Sequence, residues 1–310
     1  MVNNETRLSS TRRKRTVPED WATSDSIEAL RPHKIAGARP GARTMALNSD
    51  GQSLLVGGEG ASVQKISIDG SINQTFELQT GSFTAGAWAG DTALAASSTG
   101  LVSIFRDGKE VGSWRHNATV NALAVHPCGQ IVASVGSDNR FILYDLSSSS
   151  IAAQATTDSV LNVAAFHPDG HLLAVGGEDG QIKLFDLKTG DQAASFNVGE
   201  PLQALAFSEN GTWLAVAGNT TGVQIWDLRK LAQVKVLDVE GAVFALDWDY
   251  TGQFLAIGGS EGIIVQQYTK ASKEWARCLR SEQEGVAAFW GPKAHSLLVM
   301  STDGSILDLK

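Results

Sequence analysis

One pattern recurs seven times along the chain: an apolar strand, a short turn, then a second apolar strand ending in small residues. Taken at the middle of the second strand, the copies centre on Leu55, Leu94, Val132, Leu173, Leu214, Leu255 and Leu298. They stand 39, 38, 41, 41, 41 and 43 residues apart. A period near forty, with Gly-rich turns and no 3.6-residue apolar spacing, predicts an all-β fold: a seven-bladed β-propeller of four-stranded blades.

The fourth copy reads most plainly. Asn162–His167 alternates apolar and polar residues, as a half-buried strand does. Pro168-Asp169-Gly170 forms a turn, because Pro presets φ and Gly accepts positive φ without steric cost. Leu172–Gly176 is uniformly apolar, which predicts a strand covered on both faces. After Gly177-Glu178-Asp179-Gly180 turns the chain, Gln181–Leu187 alternates as a third strand. Lys188-Thr189-Gly190-Asp191 is a hairpin turn, and Gln192–Asn197 is the outer strand.

The third strand of this copy ends Phe185-Asp186-Leu187, and its neighbours end Tyr144-Asp145-Leu146 and Trp226-Asp227-Leu228. Through this aromatic-Asp ending the chain resembles the WD-repeat family from about residue 31 onward. Weaker versions stand at Ile68-Asp69 and Leu307-Asp308, while Phe105-Arg106 and Gln267-Tyr268 depart from it. The last copy stops after its third strand. Arg31–Ala38 sits ahead of the first copy where an outer strand belongs, so it is expected to complete the last blade and close the ring. The organisation expected is a flexible basic tail over 1–30 and a propeller over 31–310.

A single core of this size hides roughly three-quarters of its unfolded surface and needs no disulfide. Cys128 and Cys278 fall in non-equivalent positions and read as free thiols of a reducing compartment. No apolar run approaches a membrane span and no signal-peptide core opens the chain, so an intracellular, soluble protein without a membrane partner is expected. Residues 1–43 carry nine Lys/Arg against five Asp/Glu, and the remainder 16 against 28. An acidic propeller attracts basic partners and repels phosphate backbones, so direct nucleic-acid binding by the propeller is not expected.

No residue pattern calls for catalysis, a cofactor or a metal. His116 precedes Val120 by four residues, where WD repeats place a turn histidine, and Asp138 occupies the second turn of the same copy. The pair is expected to make a structural hydrogen bond. A catalytic dyad would need a Ser or Cys nucleophile, and none is evident from the spacing. His126-Pro127 and His167-Pro168 open equivalent turns and read as turn chemistry, while His167, Asp169 and His171 lack a fourth metal ligand. Asp145, Asp186, Trp226 and Asp227 are expected to be structural, and the eight Trp residues, which sit mainly in strand positions, to pack the blades there. Glu59, Asp138, Glu178, Asp179, Glu261 and Asp303 all lie in turns between second and third strands. Singly they read as acids that cap turn N–H groups. Together they form a negative rim suited to a basic peptide, and Glu59, Glu178, Asp179, Glu261 and Asp303 are the candidate partner-binding residues. Arg12-Arg13-Lys14-Arg15 is either a nuclear import signal or a solvated linker.

A closer resemblance rests on longer blocks. Ala206-Phe207-Ser208-Glu209-Asn210-Gly211 with Val223-Gln224-Ile225-Trp226-Asp227-Leu228-Arg229-Lys230-Leu231 resembles the propeller of the pre-mRNA-processing factor 19 family. So do Phe166–Gly170 with Gln181–Leu187, and the tail Arg13-Lys14-Arg15-Thr16-Val17-Pro18-Glu19 is similar to the linker that precedes that propeller. The resemblance implies a nuclear U-box ubiquitin-protein ligase of the nineteen complex, with roles in splicing and DNA repair. It implies splicing-complex subunits and ubiquitination substrates as partners, and a homotetramer built through a coiled coil. These 310 residues hold no U-box and no heptad run, Trp21–Leu30 being too short. A fragment of a longer ligase, an incomplete gene model and a solitary propeller all remain open, as does an unrelated WD-repeat scaffold.

Overall fold

The computed structural model describes residues 32–35, 42–48, 51–219, 222–269, 274–281, 285, 287–290, 297–301 and 303–309. These hold 28 strands and, among the described residues, no helix. The strands form seven four-stranded antiparallel sheets. Six blades are continuous in sequence, over 42–77, 83–115, 120–156, 161–197, 204–237 and 243–281. The seventh takes Ala287–Trp290, Leu297–Met300 and Ile306–Leu309 from one end of the chain and Pro32–Ile35 from the other. Pro32 stands opposite Leu309 and Ile35 opposite Ile306, so the N-terminal strand supplies the missing outer strand. Arg12, Arg13, Lys14 and Arg15, with the rest of residues 1–30, lie outside the described residues.

In the fourth blade the strands are Leu161–Phe166, Leu172–Gly177, Gln181–Asp186 and Gln192–Asn197, within a residue of their expected bounds. Second strands are buried along nearly their whole length; Ser53–Gly58, Thr92–Ser97 and Phe254–Gly259 are buried throughout. Their small final residues have a steric cause. A Cβ on Gly177 would lie 1.7 Å from the Val160 carbonyl oxygen, and one on Gly218 2.4 Å from that of Pro201. In several blades the carbonyl just ahead of the first strand tucks over the end of the second and accepts the next N–H: Ser137 to Thr119 at 2.8 Å, Glu178 to Val160 at 3.1 Å, Ser260 to Ala242 at 2.9 Å. The first strand bulges at the following step, leaving Asn121, Asn162 and Phe244 without a residue opposite.

The core lies between blades, and each of the seven apolar clusters fills one seam. The cluster that joins the last blade to the first brings Ile35, Met45, Leu54, Leu298 and Ile306 together, so the ring is closed by packing as well as by pairing. Ring N–H groups cross five further seams to backbone carbonyls. Trp88 donates to Ala46 at 3.2 Å, Trp248 to Ala206 at 3.3 Å and Trp290 to Asp247 at 3.1 Å. His126 Nε2 reaches the Gly170 carbonyl at 2.9 Å and His167 Nε2 that of Gly211 at 3.0 Å. Both histidines also take part in their own turns, Nδ1 accepting the N–H of Cys128 and Asp169. Turn chemistry was therefore half of their role, the other half being to bridge blades.

Strand register corrects several motif positions. Val132, Leu173 and Leu214 stand opposite Tyr144, Phe185 and Trp226. The equivalent second-strand residues elsewhere are Leu54, Ala93 and Leu297, one place before the sequence anchors Leu55, Leu94 and Leu298. The WD position in the first blade is consequently Ile66-Ser67; Asp69 lies two residues beyond it, in the turn. In the sixth blade the position is Gln266-Gln267, and in the seventh it begins at Leu309. An apolar run covered on both faces has no alternation to mark register, which is why the sequence left it ambiguous.

Candidate functional site: the acidic face and the channel mouth

Successive connections of an antiparallel blade alternate between the two faces of the disc. Turns from second to third strands and loops from outer strands to the next blade share one face, here the upper. Glu59, Glu178, Asp179, Glu261 and Asp303 are all exposed there. Two of them also cap their turns: Asp179 accepts the Gln181 N–H at 3.0 Å and Asp303 the Ser305 N–H at 2.8 Å. The Ser305 bonds, with Lys34 nearby, hold the Asp303 carboxyl below its usual range. Asp179 pairs with Lys183 at 3.0 Å, and Glu178 accepts from Asn162 Nδ2 at 2.7 Å. The interblade loops add exposed Glu77, Asp158, Asp238 and Glu240 to this face, acids that the turn pattern did not single out.

The first strands of all seven blades line a central channel enclosing about 300 Å³. Their bulges place Thr84, Asn121 and Phe244 on its wall, and Gln203 joins them from the step before the fifth blade's first strand. Asn121 and Asn162 each donate to a carbonyl of the next blade, Leu161 at 2.8 Å and Leu202 at 3.3 Å, which fixes the rim. Phe244 takes the corresponding place in the sixth blade and remains 40% exposed. An exposed aromatic ring on the channel wall, on a face dominated by carboxylates, offers an apolar anchor and a negative surround to a basic peptide.

His116 and Asp138 lie within one network. Trp114 Nε1 donates to Ser134 Oγ at 2.9 Å, Ser134 Oγ stands 2.8 Å from His116 Nε2, and His116 Nδ1 is 2.9 Å from Asp138 Oδ1. Since the carboxylate can only accept, Nδ1 carries the ring proton and Nε2 takes the hydroxyl proton. Asp138 also accepts the Asn117 N–H at 2.9 Å. Burial acts to raise its pKa, but the bonds from His116 and Asn117 outweigh that and hold it low. Ser134, from the second strand, joins the pair in a Ser-His-Asp geometry that the spacing did not reveal. The geometry has no catalytic use. Ser134 is 0% exposed and its oxygen already holds Trp114, so no substrate carbon can reach it. It ties the outer strand of the second blade to the third blade.

The third-strand aspartates seed the turns that follow. Asp145 accepts the Ser147 N–H at 2.8 Å, Asp186 that of Lys188 at 2.7 Å and Asp227 that of Arg229 at 3.0 Å. The Arg229 side chain returns to Asp227 at 2.8 Å and lowers its carboxyl pKa. The Trp226 ring packs 4.8 Å from that of Phe196, and its N–H is buried without an acceptor among the described residues. His167 Nδ1 lies 2.7 Å from Asp169 Oδ1. Among the described residues no three His, Cys, Asp or Glu gather as a metal site. Nor is any helix among them long and apolar enough to cross a membrane.

The family model described as "WD domain, G-beta repeat" matches residues 108–145, 149–186 and 195–227. Each match ends on the third-strand aspartate of a blade and begins in or just before the outer strand of the preceding one. The chain is also similar to "Pre-mRNA-processing factor 19 homolog 2" of Arabidopsis thaliana, 33% identical over 167 residues. That alignment takes in 49% of this chain and 31% of the relative, so the chain spans about a third of the relative's length. With seven blades in a closed ring and WD repeats matched across three of them, the chain is a seven-bladed WD40-repeat β-propeller, a fold whose faces mediate protein–protein interaction.

Proposed function

We propose that this propeller is the partner-recognition part of a pre-mRNA-processing factor 19-like ubiquitin-protein ligase, acting in the nucleus in pre-mRNA splicing and DNA repair. The 33% identity to the plant homologue supports the family link. The exposed acids of the upper face, with Phe244 at the channel mouth, support basic segments of splicing-complex subunits or ubiquitination substrates as what it captures. The propeller selects and holds, while chemistry belongs to other parts of such a ligase.

Capture from nuclear extract, with bound proteins identified by mass, tests this reading. Wild-type protein should recover splicing-complex subunits in a salt-sensitive manner, and Glu178→Lys with Glu261→Lys should cut recovery several-fold. Recovery of an unrelated assembly would favour a WD-repeat scaffold of another complex. Recovery of splicing subunits unaffected by the charge reversals would remove the upper face from the proposal.

A further inference from the structure

At one shared register position, opposite Leu55, Leu94, Ala133, Ala174 and Ala215, the first strands of the first five blades carry Ala46, Ala87, Ala124, Ala165 and Ala206. In the sixth it is Asp247, the only acid in any first strand. A carboxyl is costly where alanine suffices, unless its oxygens are used. Asp247 Oδ2 accepts the backbone N–H of Trp290 at 2.8 Å, while its carbonyl accepts the Trp290 indole N–H at 3.1 Å. Ala46 and Ala206 give their Trp partners only the carbonyl. Both polar ends of Asp247 thus grip one residue of the blade that the N-terminal strand completes.

Among the described residues, no cation figures among the groups acting on this carboxyl. Asp249 from its own blade and Glu209 from the lower turn of the fifth are the charged neighbours, both acidic. The second strand Phe254–Gly259 brings no titratable group, nor do Ala287, Ala288 and Trp290. The residue is only partly exposed, its carboxyl turned into the seam against Trp290. That desolvation, aided by Asp249 and Glu209 and opposed by the N–H groups of Trp290 and Trp248, pushes Asp247 up to about 7.

We propose that Asp247 is a proton-sensitive latch on the seam between the sixth and seventh blades. Protonated, it holds Trp290 with no buried charge; ionised, it sets a carboxylate against Asp249 and Glu209 and loosens the closing blade. The native state then keeps a proton that an ordinary Asp in the unfolded chain has released. Stability should fall as pH rises from about 4 to about 7 and level off above that.

Two measurements on the whole chain test this. Thermal melting is followed from pH 5 to 8.5 for wild type, Asp247→Asn and Asp247→Ala, the last reproducing the residue of five other blades. Wild type should lose several degrees more than either variant between pH 5 and 7.5. In the native state, Trp290 emission, isolated by subtracting a Trp290→Phe variant, should titrate near pH 7 and lose that step in Asp247→Asn. Parallel melting profiles, or Trp290 emission that ignores pH or titrates alike in the Asn variant, would overturn the latch.

Discussion

Ser134 occupies a second-strand position held by Val175 and Val216 in the next two blades. Its hydroxyl is a necessity of its neighbours: Trp114 needs an acceptor and His116 Nε2 a donor, both out of reach of water. Ser134→Val would fit the space and strand both partners. Each buried orphan costs about 1–3 kcal/mol, so a loss of about 2–6 kcal/mol is expected in urea unfolding. A loss under about 0.5 kcal/mol would mean that the network carries no net stability. His116 and Asp138 were legible in the sequence because repeat phase fixes where their turns fall. Ser134 was not, since a small residue inside an apolar strand carries no sign of what approaches it from the neighbouring blade. Asp247 was hidden for the same reason, its partner lying 43 residues away.

At the scale of strands, the alternating third strands and Gly-marked turns gave element bounds closely, because each signal is local. The bulge in five of the first strands and the carbonyl that forces a small residue at the end of the second arise only when blades are built, and no local signal announces them. The closing strand was legible by subtraction: one outer strand was missing at the end of the repeats and one spare segment stood at their start. Pro32–Ile35 contributes four paired residues and buries Ile35 in the seam between the last blade and the first. Removing residues 1–40 should therefore lower the melting temperature by several degrees or more, since a paired edge and an apolar contact are lost together. An unchanged melt would show that the ring holds without it.

The whole molecule is a loop of seven equivalent seams, none of which borders a free end. Each blade buries its faces against two others, so opening one seam exposes apolar surface without a compensating contact. One cooperative thermal transition is expected, coincident by far-ultraviolet circular dichroism and by tryptophan emission. Two separated transitions would mean that part of the ring melts independently. The candidate face was legible only as a charge balance and a set of turns. Phe244 and the loop acids join it because folding brings their loops to the same side.

Each matched repeat begins at the rim of one blade and finishes three strands into the next. Duplicating or excising one such unit leaves the tally at the two termini untouched, one strand surplus at the head and one vacancy at the tail. A gene for a ring of this kind can change its number of sectors by unequal recombination, and the product still has the means to fasten itself shut.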